Sequence, residues 1–298
     1  MKILKLLFVF LFVFSLSQAH AQYRKRDWHV YAGPSVGGMY YVGDLKETRF
    51  AASGYTNPSI GLRVMSQYKN LIAVQGSYTY GSMSGYDTLI SRSWAINRAY
   101  EFTSRTHDLE VLFKYTFFNQ NKRITRSTKF VFYPKIIAGF GVINFKPMRE
   151  YQGEMIDLRA LGTEGQYIDN PAYPDPYGNW ALGFKLGNEI SIVTGKRTTI
   201  DIFGYYTFAQ TDYLDDVGGG AHINVEDLAQ APNADVLAAF AYPRVLQGNL
   251  TSTPGNTRGS SEYNDGYYCF GIAISYRLTE LAKGSGMSLP PLFSRRNF

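Results

Sequence analysis

The feature that most restricts this chain is an alternation of apolar and polar residues, with a period of two, that recurs along its length. In residues 180–192, Trp180, Leu182, Phe184, Leu186, Ile190 and Ile192 fall on one face, and Ala181, Gly183, Lys185, Gly187, Glu189 and Ser191 on the other; Asn188 is the one polar residue on the apolar side. Successive side chains of a strand point to opposite faces, so such a segment is a strand lying between an apolar medium and a polar one. Residues 107–117 repeat the pattern, with Leu109, Val111, Phe113, Tyr115 and Phe117 set against Asp108, Glu110, Leu112, Lys114 and Thr116. So does the last segment, where Tyr268, Phe270, Ile272, Ile274, Tyr276 and Leu278 alternate with Cys269, Gly271, Ala273, Ser275 and Arg277. Looser copies occupy 28–40, 59–68, 71–80, 130–144 and 198–210, with Pro134 expected at a bulge or a strand start because it cannot donate to a ladder. Hydrocarbon offers no partner for a backbone N–H or C=O, so strands cross it only as a closed sheet. The expected fold class is therefore all-β, an eight-stranded antiparallel transmembrane β-barrel.

A water-soluble sandwich also alternates, and the connections separate the two. Strands two and three join at Lys69 and Asn70, four and five through 118–129, and six and seven through 194–197, whereas 41–58, 81–105, 145–179 and 211–265 are longer. Alternating lengths imply long extracellular loops and short periplasmic turns, and the even strand count places both termini in the periplasm. The first residues fit that route. Lys2 and Lys5 combine with an apolar run over 3–16 that precedes the small-residue site Ala19, His20, Ala21. This reads as a signal peptide over residues 1–21, and the run is shorter than the about 20 residues that a spanning helix needs. Residues 22–278 are then the outer-membrane barrel and 279–298 a periplasmic tail. The single cysteine, Cys269, can form no internal disulfide and reads as a packed strand residue.

Aromatic residues make up 16% of the 298-residue chain, with 24 Tyr and 20 Phe, and charged residues only 18%. A soluble domain averages about 25% charged residues, and tyrosine suits a membrane interface. The net charge of +6 includes Arg24, Lys25, Arg26, Arg295 and Arg296 near the ends. No basic stripe with interleaved aromatics runs through the body, so nucleic acid is not an expected partner. On the inferred inner faces Arg63, Lys114, Lys135, Lys185 and Arg277 stand against Asp108, Glu110, Glu189 and Asp201. Near balance points to mutual pairing in a lumen filled by its own side chains, rather than to a narrow ion conduit lined by one sign.

Chemistry has little to work with. Asp212, Asp215, Asp216 and His222 are close in sequence, but no G-x-S-x-G element accompanies them as it would in a rim hydrolase. The carboxylates lack the twelve-residue calcium-loop spacing. His29, His107 and His222 with one cysteine give no zinc pattern, so neither catalysis nor a cofactor is expected. Residues 234–242 could form a short helix or an extra hairpin within the last loop. In the tail, Leu289, Pro290, Pro291, Leu292 and Phe293 with Arg295 and Arg296 form either a disordered end or an extended recognition segment.

Several of these residues carry a resemblance. Tyr40, Tyr41, Val42, Gly43, Asp44 and Leu45 after the first strand, Thr211, Asp212, Tyr213, Leu214, Asp215, Asp216 and Val217 after the seventh, and Asn264, Asp265, Gly266, Tyr267 and Tyr268 entering the eighth resemble a family of small outer-membrane barrels from Bacteroidota. That family includes PorG of the type IX secretion and gliding machinery. Tyr41, Gly43, Asp44, Tyr213, Leu214, Asp215 and Asp216 are its motif positions here. The resemblance implies a non-enzymatic barrel surrounded by outer-membrane lipid, acting in protein transport as an anchor or adaptor for periplasmic ring proteins or lipoproteins similar to PorK and PorN. The basic residues Arg24, Lys25, Arg26, Lys122, Arg123, Arg295 and Arg296 are the candidate contacts to such a partner. The alternative is a barrel whose surface loops, 145–179 and 211–265, bind a ligand or lipopolysaccharide.

Overall fold

The computed structural model describes residues 28–45, 56–87, 99–117, 131–194, 197–231, 233–242, 258–260, 262 and 264–278. Among them the strands are β1 (Trp28–Val42), β2 (Asn57–Tyr68), β3 (Ile72–Tyr86), β4 (Glu101–Thr116), β5 (Val131–Tyr151), the short β6 (Glu154–Asp157), β7 (Trp180–Val193), β8 (Thr198–Ala209) and β9 (Gly266–Arg277). The helices are α1 (Leu158–Leu161), α2 (Val225–Gln230) and α3 (Ala234–Ala241). Each long strand pairs antiparallel with its neighbour, β5 with β7, and β1 closes the sheet on β9 with Val36 opposite Ile272 and Met39 opposite Cys269. The result is a closed eight-stranded antiparallel β-barrel, with β6 added as a hairpin on the projecting end of β5.

The barrel is apolar outside and charged inside. Leu62, Leu109, Trp180, Leu182 and Phe184 stand outward and exposed, while Lys185, Asp108 and Asp201 point inward and are fully buried. A water-soluble barrel would have the reverse order, since an exposed apolar surface of this extent has to be covered. At about 3.3 Å per residue and a tilt of about 40°, the outward apolar row from Phe117, just past β4, to Leu109 climbs about 20 Å, close to the height of about 25 Å of a lipid-facing apolar band. No helix among the described residues is long and apolar enough to cross a membrane.

Two groups of ion pairs fill the middle of the lumen. In one, Glu189 takes Lys114, Lys135 at 3.2 Å and Arg63 at 3.4 Å, and Arg63 also lies 3.4 Å from Asp201. In the other, Lys185 sits 2.5 Å from Asp108 and 3.2 Å from Glu110, whose carboxylates also accept from the Tyr267 and Tyr205 hydroxyls. Four cations thus face four carboxylates. The fifth expected lumen cation, Arg277, instead sits half-buried at the barrel's end with its guanidinium 2.9 Å from the Tyr31 hydroxyl. Apolar plugs lie on both sides of the charges: Tyr31, Met65 and Ala73 towards the termini, and Met39, Tyr41, Met83, Phe102 and Phe145 towards the longer connections.

The strand ends near the termini fall within about two residues of where the alternation places them, but the opposite ends run further. β3 continues to Tyr86, β4 begins at Glu101 and β5 reaches Tyr151. Between the described strands, 117–130 spans as many positions as 43–56 and 87–100. Pro134 is the fourth residue of β5, paired with Ile190 of β7 and one residue beyond the last β4–β5 pair, Thr116 with Lys135, where its carbonyl accepts from Phe117 N–H at 3.3 Å. Cys269 is a buried thiol on the inner row of β9. Of the segment 234–242, Ala234–Ala241 form α3 and Tyr242 caps it. Residues 1–21 and the tail 279–298 lie outside the described residues.

Removing one partner from a buried pair leaves an uncompensated charge, at a cost of about 3–5 kcal/mol. Lys185→Ala, which strands Asp108 and Glu110 together, is expected to lower the urea stability of the lipid-embedded barrel by that amount. Phe184→Arg, on the outer face beside it, is expected to cost about 2–4 kcal/mol, and both are read from the heat-modifiable gel shift across a urea series.

Candidate functional site: the cap over one mouth

Antiparallel order gathers connections 43–56, 87–100, 152–179 and 210–265 at one end of the barrel, and 69–71, 117–130, 194–197 and both strand termini at the other. The motif residues lie at the first end and build a cap. Tyr41, the last inward residue of β1, has its hydroxyl 2.5 Å from Asp215 Oδ2 and 2.7 Å from Asp265 Oδ1. A phenol carries a single proton to donate, so when both contacts are hydrogen bonds one carboxyl must itself be protonated. Burial, before any neighbouring charge, pushes both Asp215 and Asp265 well above the usual carboxylate range. The remaining oxygens hold backbone: Asp215 accepts from Val217 N–H at 2.9 Å, and Asp265 from Leu214 N–H at 2.9 Å. Asp216, whose φ of 69° an aspartate tolerates, turns the chain between them.

The first connection locks onto the same group. A Cβ at Gly43 would fall 1.9 Å from the Tyr41 hydroxyl oxygen and 2.0 Å from Asp265 Oδ1, so only glycine fits there. Asp44 accepts from Ser260 N–H at 2.7 Å. Leu214 is fully buried. Tyr213 stacks on Tyr177, with ring centroids 4.4 Å apart, and its hydroxyl reaches Glu164 at 3.2 Å. Asp216 accepts from Thr163 and Tyr177, each at 2.5 Å. The sequence thus marked Tyr41, Gly43, Asp44, Tyr213, Leu214, Asp215 and Asp216, and the structure brings them together.

It missed Thr163, Glu164, Tyr177 and Arg258. Arg258 donates to Thr163 at 2.6 Å, lies 3.6 Å from Glu164 and covers the Tyr100 ring at 4.7 Å. Thr163, Glu164 and Tyr177 come from connection 152–179 and Arg258 from 210–265, and none carries a local signal of pairing. The basic candidates Arg24, Lys25, Arg26, Lys122, Arg123, Arg295 and Arg296 lie outside the described residues.

The cap's chemistry is that of a clasp. Asp215 and Asp216 hold backbone and hydroxyl groups, and His222 is buried against Tyr242, with centroids 5.4 Å apart, and near the Tyr100 hydroxyl. Among the described residues no three His, Cys, Asp or Glu side chains gather as a metal-binding group.

No protein-family model matches the chain, and no curated protein is similar to it in sequence. Among solved structures it is similar to Ail, the attachment invasion locus protein of Yersinia pestis, solved with the heparin analogue sucrose octasulfate. The identity is 9% over 84% of this chain and 97% of that one, with a TM-score of 0.34. It is similar also to Neisserial surface protein A (NspA), at 9% identity over 84% and 96% and a TM-score of 0.33. The barrel itself is defined by its own strand ladder, and these likenesses add no residue-level correspondence.

Burial also pushes Asp216 up to about 7, opposed by Arg258 and by the Thr163 and Tyr177 hydrogen bonds. The exposed-chain value is about 3.9, so between these limits the folded cap holds a proton that the open one releases. Stability from this group is therefore complete below about pH 4 and is lost as pH rises through about 7. Hydrogen-exchange protection factors at Leu214, Val217 and Gly218 are expected to fall about tenfold or more from pH 5 to pH 8, and Asp216→Asn is expected to weaken that dependence without abolishing it, because Asp215 and Asp265 are shifted in the same direction.

Proposed function

We propose that this chain is a non-enzymatic, non-conducting outer-membrane barrel that anchors a periplasmic secretion-machinery assembly, as the PorG family resemblance implies. The apolar exterior supports a place in lipid, and the paired charges and flanking plugs support a sealed lumen, since an eight-stranded interior is just wide enough for side chains to fill. The adaptor role is carried by topology. β1 begins and β9 ends at the mouth opposite the cap, the same side as connection 117–130 with its Lys122 and Arg123. Arg24, Lys25 and Arg26 precede β1 and Arg295 and Arg296 follow β9 in the chain, and both of those strand ends lie at the mouth that faces the periplasm in this reading. The partners are ring proteins or lipoproteins similar to PorK and PorN.

A second reading, a surface-loop binding barrel, is favoured by one observation. A cavity of about 170 Å³ lies between the two loops named for that role, walled by Leu161, Tyr167 and Ile168 from one and by Ala231, Asn233 and Leu237 from the other.

A photocrosslinker placed at Lys122 or Arg295 is expected to capture a discrete protein partner in cells, whereas lipid adducts alone would contradict the adaptor. Replacing residues 223–242 with a short Gly-Ser linker separates the readings. The adaptor predicts unchanged crosslinking and secretion, and the surface-binding reading predicts loss of function with crosslinking intact.

A further inference from the structure

The outward rows of the barrel are almost free of charge. Along the described strands the only outward Lys or Arg residues are Arg105 on β4 and Lys146 on β5, both exposed. They are direct partners across the β4–β5 ladder, a placement that puts their Cβ atoms about 5 Å apart and sets like charges against each other at a cost in stability. His107, also exposed, stands one outward position below Arg105, opposite Asn144. Its Nδ1 lies 2.6 Å from the Tyr78 hydroxyl and its ring 5.0 Å from that of Tyr80, which leaves Nε2 for a partner outside the barrel.

Nearby acids do not neutralise this patch. Lys146 lies 3.5 Å from Asp157, but its side chain is 53% exposed, and such surface pairs are weak. Glu101 is engaged by Arg149 at 3.1 Å, and Glu150 lies further out along β5. Among the described residues no carboxylate forms an ion pair with Arg105. Immediately below, the apolar band begins with Leu109 and Val142, themselves ladder partners.

We propose that Arg105, Lys146 and His107 form a docking site for the phosphorylated headgroup of an outer-leaflet lipid, whose acyl chains lie against the band beneath. An anionic phosphate relieves the repulsion between the two cations and takes the planar fork of Arg105 bidentately. Continuity with the apolar band selects a lipid over free phosphate. This inference rests on reading the barrel as membrane-embedded with the cap end outward.

The test uses the full mature chain in phosphatidylethanolamine nanodiscs doped with lipid A or with dephosphorylated lipid A, the bound lipid counted by native mass spectrometry after release into detergent. Retention of lipid A is expected to exceed that of the dephosphorylated form by at least about tenfold, and Arg105→Ser with Lys146→Ser together is expected to abolish the preference. Equal retention of both lipids, or an undiminished preference in the double variant, overturns the site. Displacement of lipid A by millimolar inorganic phosphate overturns the assignment to a lipid. Quenching of tryptophan fluorescence, which includes outward Trp28 and Trp180, by brominated lipid is measured alongside. An unquenched wild-type chain overturns the membrane reading and this inference together, and a quenched chain without a lipid preference overturns this inference alone.

Discussion

Pairing of opposite charges inside the cylinder is the interaction on which the rest depends. An isolated ion in a closed lumen loses its hydration at a cost of several kcal/mol, and eight such groups could not be accommodated singly. Glu189 answers Lys114, Lys135 and Arg63, and Lys185 answers Asp108 and Glu110. Because the charges of the inward rows are paired within the lumen, the outward rows are free to be Leu, Ile, Val and Phe, and the sheet can face hydrocarbon. The same pairing joins β2, β4, β5, β7 and β8 across the lumen, so the cross-section is held by side chains as well as by the ladder.

Above the charges the construction changes. Tyr41 ends the inward row of β1, and its hydroxyl joins the barrel wall to Asp215 and Asp265 of the longest connection. From there a chain of contacts runs through Asp216, Thr163, Glu164 and Arg258 to Tyr100. Residues far apart in sequence are thereby fastened into one cap, at the mouth opposite the strand termini. The motif residues accordingly account for closure of the cap end. In physical terms the chain divides into a belt set by lipid, a lumen set by charge and a cap set by buried carboxyls.

The strands were legible where lipid imposes alternation. Residues 180–192 show it in full, and β7 is observed over Trp180–Val193. The signal fades where the strands leave the band, because both faces are then covered: Met83, Ser84 and Gly85 are buried in succession in β3, as are Gly38, Met39, Tyr40 and Tyr41 in β1. A period-two reading therefore stops at Tyr80 while the strand continues to Tyr86. Lumen charges were legible as a balanced set, apart from Arg277, whose place at the open end lets it rest on Tyr31 instead. The motif positions were visible through the family resemblance they carry, but their partners Thr163, Glu164, Tyr177 and Arg258 were not, since nothing local in a loop distinguishes a clasped acid from a solvated one.

The central claim is that odd and even positions of one strand see two different media. Single cysteines along β7, in a Cys269→Ser background and in lipid vesicles, test it directly with a bilayer-resident quencher of an attached fluorophore. Probes at Leu182, Phe184, Leu186 and Ile190 are predicted to be quenched, while Ala181, Gly183 and Ser191 are predicted to resist labelling in the folded state. Uniform accessibility along the strand, or quenching at the second set and not the first, would contradict the account.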